Sequence, residues 1–116
     1  MRSLVFLALF VPAIFVPSIA LAEAPNPQID RLWRAKCSSC HGPDGKGATE
    51  QGKKMAVEDM TSPAWQAITD DKIKASVNDG LKREKGGVHQ EMEAYKSKLR
   101  PEQVDGLVTY IRALKK

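Results

Sequence analysis

The sequence predicts an all-α fold. Apolar residues recur at helical spacing in three separate stretches; start and stop signals bracket the second, and a start signal opens the third. No stretch alternates apolar and polar residues in the manner of a half-buried strand. The chain has 116 residues, enough for one small domain. Neither an internal repeat nor a boundary to a second domain is visible.

Residues 1–22 read as a secretory signal peptide. Arg2 gives a positive start, Leu4 through Leu21 is almost wholly apolar, and Ala20-Leu21-Ala22 is a small-x-small cleavage signal followed by polar Glu23. Cleavage after Ala22 is expected, leaving residues 23–116 as the mature domain. The rival is a retained anchor. The apolar run is close to the roughly 17-residue minimum for spanning a bilayer, and Pro12 and Pro17 make a poor helix.

The first helix is expected from about Gln28 to Cys40, after the stiff lead-in Ala24-Pro25-Asn26-Pro27. Ile29, Leu32, Trp33, Cys37 and Cys40 fall on one face of it. That face runs into Cys37-Ser38-Ser39-Cys40-His41, a Cys-x-x-Cys-His run that reads as a c-type haem attachment site. The spacing has a physical reason. Residues three apart share a helix face, so both sulfurs can reach the edge of one flat ring and form two thioethers. The next residue, His41, can then present its imidazole to the iron.

Other uses of the same residues fit less well. A zinc site needs about four ligands, and the chain has no third cysteine and only His89 besides His41. A redox-active Cys-x-x-Cys belongs to a βαβ setting, and no strand pattern surrounds this one. A disulfide between Cys37 and Cys40 leaves His41 unexplained.

Gly42, Gly45 and Gly47 break the chain into tight turns, read either as backbone passing close to the ring edge or as a plain flexible loop. A phosphate-binding loop is disfavoured, since no strand precedes the run and no Gly-Lys-Ser/Thr ends it. Residues 49–67 are the least readable; a short helix over Lys53 to Met60 is the expectation, with Trp65 the large aromatic of the stretch.

The next helix is better marked. Thr69 is its N-cap, Asp70 and Asp71 favour its first turn, and Ile68 and Ile73 form a hydrophobic staple. Ile73 and Val77 give one apolar face, and Gly80 ends it. Leu81 to Gln90 reads as an exposed polar loop. The last helix opens at Pro101, and Val104, Leu107, Val108, Ile111 and Leu114 form its apolar stripe, expected to cross the first helix near Leu32 and Trp33.

From about residue 25 onward the chain resembles the class I c-type cytochromes. The resemblance rests on Cys37 to His41, the run Gly42-Pro43-Asp44-Gly45-Lys46-Gly47, Met92-Glu93-Ala94-Tyr95, and the closing helix from Pro101. It implies the small cytochrome c fold, in which N- and C-terminal helices cross around one covalently bound haem c. It implies thioethers at Cys37 and Cys40, with His41 and Met92 as the axial iron ligands. Met92 competes with Met55, Met60 and His89 for the sixth position. The resemblance also implies that Trp65 packs on the haem with its indole N–H near a propionate, although ordinary core packing explains that residue equally. A proline whose carbonyl holds the proximal histidine is common in the family. None stands between Pro43 and Pro63 here, so no backbone acceptor for His41 is identifiable.

The function implied is single-haem electron transfer outside the cytoplasm, with no catalytic residue. The alternative is a haem enzyme or sensor with an open or labile sixth position, peroxidase-like or gas-binding. The formal charge of +4 is far from the balance of a nucleic-acid binder. Lys46, Lys53, Lys54, Lys82, Lys85, Lys96 and Lys98 are expected either to form a docking face for an acidic redox partner, a reductase or oxidase, or simply to keep the surface soluble. No stable membrane association is expected after cleavage.

Overall fold

The computed structural model describes residues 12–18 and 25–114. Most of the predicted leader, including its cleavage site, lies outside the described residues. Residues 12–18 have no regular structure, with Ile14, Phe15 and Val16 exposed. Among the described residues no helix is long and apolar enough to cross a membrane. The remainder is mostly helical: α1 (Pro27–Lys36), α2 (Ser38–His41), α3 (Glu50–Lys54), α4 (Pro63–Gln66), α5 (Asp70–Asp79) and α6 (Pro101–Ala113), with a hairpin of β1 (Leu81–Lys85) and β2 (Val88–Met92).

The Asn26 side chain accepts a hydrogen bond from the Gln28 N–H, and Pro27 fills the first helical position of α1. The expected single helix to Cys40 is interrupted at Cys37. There the Ser38 hydroxyl donates to the Arg34 carbonyl at 2.8 Å, a back-bond that bends helices. The chain resumes as α2, whose last residue is His41.

Helices α1 and α6 pack across each other, with contacts at Trp33, near which the crossing is expected, and also at Ile29, which faces Gly106. A methyl group on Gly106 would stand 2.7 Å from Ile29 Cδ1, so glycine lets the two backbones approach. One turn on, Trp33 packs on Tyr110 with ring centroids 5.4 Å apart. The Tyr110 hydroxyl donates to Asp30 at 2.9 Å. The hydrogen bonds from Arg34 and then Tyr110 hold the Asp30 carboxyl below its usual range. The core is built of Ile29, Trp33, Met60, Ile73, Val77, Tyr95 and the buried stripe Val104, Leu107, Val108, Ile111 of α6.

Helix α5 forms where its cap predicts, with the Thr69 side chain accepting from the Lys72 N–H and Gly80 at its end. Arg112 of α6 fastens the entry to α5, donating to the carbonyls of Gln66 (2.8 Å) and Ile68 (2.5 Å) and to Asp70 (2.7 Å).

Two expectations are corrected. The short helix lies at Glu50–Lys54 rather than Lys53 to Met60, because Thr49 caps it by accepting from the Gly52 N–H at 2.9 Å. It ends in a Schellman arrangement, with Val57 N–H on Gly52 O and Ala56 N–H on Lys53 O. Ala56 occupies the left-handed position at φ +48°, where glycine is usual. The second correction concerns residues 81–90, expected as an exposed loop. They belong to an antiparallel hairpin in which Leu81 pairs with Met92 and Arg83 with Gln90. Gly86 and Gly87 both have positive φ, the requirement of a type I′ two-residue turn.

Candidate cofactor site

A cavity of about 600 Å³ opens between the helices and the hairpin, within the roughly 300–1,000 Å³ typical of sites that enclose a small organic ligand. Cys37, Cys40 and His41 stand together on one wall, and Trp65, Ile73 and Leu107 supply apolar surface elsewhere in the lining. The inner face of the hairpin closes the cavity with Leu81, Arg83, Gln90 and Met92.

The donor set is specific. His41 is held by its place at the end of α2 and by Trp33, whose ring centroid is 5.9 Å from that of the imidazole. The Trp33 indole N–H donates to the Gly42 carbonyl at 3.1 Å, fixing the turn just beyond. Burial pushes the His41 imidazole below its ordinary value, favouring the neutral ring that can bind a metal. Its Nδ1 is buried with no hydrogen-bond partner. That agrees with the missing proline acceptor in the sequence. Cys37 and Cys40 form no disulfide with each other, and both are half-buried. Before a haem is attached, burial, with Cys40 adjacent, pushes the Cys37 thiol up to about 11.

A paired set of cysteines and a neutral imidazole on the wall of one apolar cavity suits a flat, apolar, iron-bearing ring. The comparisons agree. Residues 29–115 match the family model described as Cytochrome c.

The chain belongs to the cytochrome c family.

Among solved structures it is similar to the KustC0563 c-type cytochrome, at 32% identity and a TM-score of 0.63 over 75% of this chain and 96% of that one. A point mutant of Kustc0563 matches at 30% identity and a TM-score of 0.61, over 75% of this chain and 98% of the mutant. No curated protein matches significantly. As a c-type cytochrome the chain binds haem c covalently, and its cavity and motif fit one such group.

Of the four residues that compete for the sixth position in this cytochrome, the structure leaves one off the cavity wall. His89 does not line the cavity. Both its ring nitrogens are engaged on the outer face of β2, Nδ1 with Glu84 at 2.6 Å and Nε2 with Glu91 at 3.4 Å. Met55, Met60 and Met92 all line the cavity. Two of them hang from the chain tied to the turn after His41: the Met60 N–H donates to Gly45 O at 2.9 Å, and α3, which carries Met55, packs Gly52 on the carbonyls of Cys40 and Gly47. The Met55 sulfur also accepts from Gln51 at 3.3 Å. Met92 comes from the separate hairpin wall. Tyr95 anchors the segment just past it, its N–H donating to Val77 O at 2.9 Å and its hydroxyl to Lys36 O at 3.3 Å.

Trp65 is half-buried on α4 and lines the cavity. None of the seven lysines picked from the sequence lines it; Lys36 and Lys72 do. Lys54, Lys85 and Lys98 are in ion pairs with Glu50, Glu58 and Glu93. Sequence reasoning missed Arg83 and Gln90, and named Tyr95 only within the run that carries Met92. The signal that could have found the first two was Gly86-Gly87 followed by Val88, Gln90 and Met92 at strand spacing.

Proposed function

We propose that this haem-c electron carrier works in the periplasm as a single-haem protein, with thioethers at Cys37 and Cys40 and iron held between His41 and Met92. The observation that supports the reading is that Cys37, Cys40 and His41 line the same cavity as Met92, which comes from a different element, the hairpin. When bound, the haem supplies an iron that cycles between two oxidation states.

The chain's own residues keep the surroundings constant through that cycle. Two ligands from well-tied segments limit reorganisation, and a thioether ligand with an apolar pocket favours the reduced state. Trp65 stands on the cavity wall, where its indole N–H can meet a propionate. Electron transfer rather than catalysis is the reading that membership of the cytochrome c family favours. Arg83, the arginine of the lining, is already engaged with Gln90.

Export follows from the leader-like residues 1–22, with the mature chain beginning at Glu23. Redox partners, a reductase or oxidase, would dock through exposed lysines such as Lys46, Lys53, Lys82 and Lys96, which make no ion pair among the described residues.

The test is optical redox titration of the purified haem-loaded protein. A single reversible one-electron transition, a sulfur-to-iron band in the oxidised spectrum, and no spectral change with carbon monoxide or peroxide are expected. Ready binding of either ligand would support the enzyme or sensor reading instead.

A further inference from the structure

Gln90 is the buried polar residue of the core, 5% exposed on a hairpin whose other side chains are exposed or half-buried. Its amide is fully used. Nε2 donates to Met55 O at 2.9 Å and to Ala56 O at 3.0 Å. Oε1 accepts from Arg83 Nε at 2.7 Å, across the strand pair. These partners fix which way the amide points, since the carbonyls need a donor and the guanidinium needs an acceptor. The two carbonyls belong to the left-handed turn that ends α3, where Ala56 stands at φ +48°. Gln90 therefore joins the hairpin to a segment that is itself tied to α2 through Gly52.

Along a strand, residues two apart share a face. Gln90 and Met92 thus point the same way, into the cavity that both line. Arg83 and Leu81, their partners in register, complete that face. Nearer the tip, Lys85 of β1 pairs with Glu58, a second tie to the same segment.

We propose that Gln90 is a positioning residue for the sixth iron ligand. It clamps β2 against the turn after α3 and so holds the Met92 sulfur at the distance the iron requires. This rests on the reading of Met92 as that ligand. The clamp resists the strand movement by which an exogenous ligand would replace the thioether. Residues that orient a metal ligand change affinity by about 10–100-fold when altered, so loosening the clamp should ease displacement of Met92 by a similar factor.

The experiment is a titration of the oxidised, haem-loaded protein with imidazole, followed by loss of the sulfur-to-iron band. Gln90→Leu and Gln90→Glu should each retain the band and bind imidazole about 10-fold or more tightly than the parent protein. Gln90→Glu keeps an acceptor for Arg83 but cannot donate to the two carbonyls. Arg83→Ala, at an exposed site, should shift the affinity in the same direction by less and secures the test if the Gln90 variants do not fold. Arg112→Ala is the control for general loosening: it should lower the melting temperature without changing imidazole affinity.

Met92→Ala distinguishes failure of the ligand from failure of the clamp. If it leaves the band intact, the assignment of Met92 is wrong and the proposal falls with it. If it abolishes the band while imidazole affinity is unchanged in the Gln90 variants, or in Arg83→Ala should those fail to fold, Met92 stands and the role of Gln90 is overturned. An equal gain in affinity in Arg112→Ala would also overturn it.

Discussion

Replacing Gly52 by alanine sets two effects against each other. Gly52 lies inside α3, where alanine ordinarily stabilises by about 0.5–1 kcal/mol through lower backbone entropy in the unfolded chain. In this structure the new methyl carbon would stand 2.3 Å from the Cys40 carbonyl oxygen and 2.4 Å from that of Gly47. Carbon and oxygen normally approach no closer than about 3.3 Å, so the deficit is close to 1 Å on two sides. Both oxygens belong to backbone, which has no rotamer to change. One is on α2, between the two ends of the attachment motif; the other is in the turn whose Gly47 N–H donates to the His41 carbonyl at 2.7 Å. Inserted carbons in well-packed sites cost about 1–3 kcal/mol. With the clash at the upper end, the net is a loss of about 2 kcal/mol. That corresponds to a fall of roughly 8–16 °C in melting temperature for a domain of this size. Thermal unfolding of the haem-loaded variant, followed by circular dichroism, reads it directly. A melting temperature equal to or above the parent's would refute the argument that α3 is packed this closely on α2.

Arg112→Ala removes the donors to Gln66 O, Ile68 O and Asp70; since hydrogen bonds from a charged group contribute about 1.5–3 kcal/mol, chemical denaturation should show a loss in that range. His89 should titrate above its ordinary value of 6.5, chiefly because Glu84 and then Glu91 stabilise its charged form. Nuclear magnetic resonance of its ring protons should show this, and Glu84→Gln should lower the midpoint. The sign follows: the His89–Glu84 attraction is fully present below pH 6.5 and fades as pH rises through the raised value. Electron transfer with an acidic partner protein should slow as salt rises, because exposed charges are screened beyond about 8 Å at physiological ionic strength. Stopped-flow rates at several salt concentrations check this, and indifference to salt would leave the lysines no steering role.

Those parts of the fold that bury an apolar face at one helical period are legible in the amino-acid sequence alone. The stripe of α6, the Thr69 cap of α5 and the cysteines of the motif all declare themselves in this way. Two parts do not. Helix α3 reads Glu-Gln-Gly-Lys-Lys and carries no apolar stripe, and it is positioned by the Thr49 cap and by backbone contact at Gly52. The hairpin is disguised because β1 is Leu-Lys-Arg-Glu-Lys, with little apolar alternation to detect. Its register depends on the Gly86-Gly87 turn and on a buried amide, whose partners lie 34 and 35 residues away. Within the site, motif spacing in the sequence brings Cys37, Cys40 and His41 to the same cavity. Long-range hydrogen bonds of the kind made by Gln90 and Tyr95 leave no periodic trace.

The central claim is that one haem is joined to this chain through Cys37 and Cys40. Trypsin cuts after Lys36 and Lys46, releasing the peptide Cys37 to Lys46 with both cysteines and His41. Mass spectrometry of that peptide from acid-denatured, alkylated protein should show the mass of one haem added and neither sulfur alkylated. The same peptide recovered haem-free with both cysteines alkylated, from protein whose visible spectrum is that of a haem, would contradict the account.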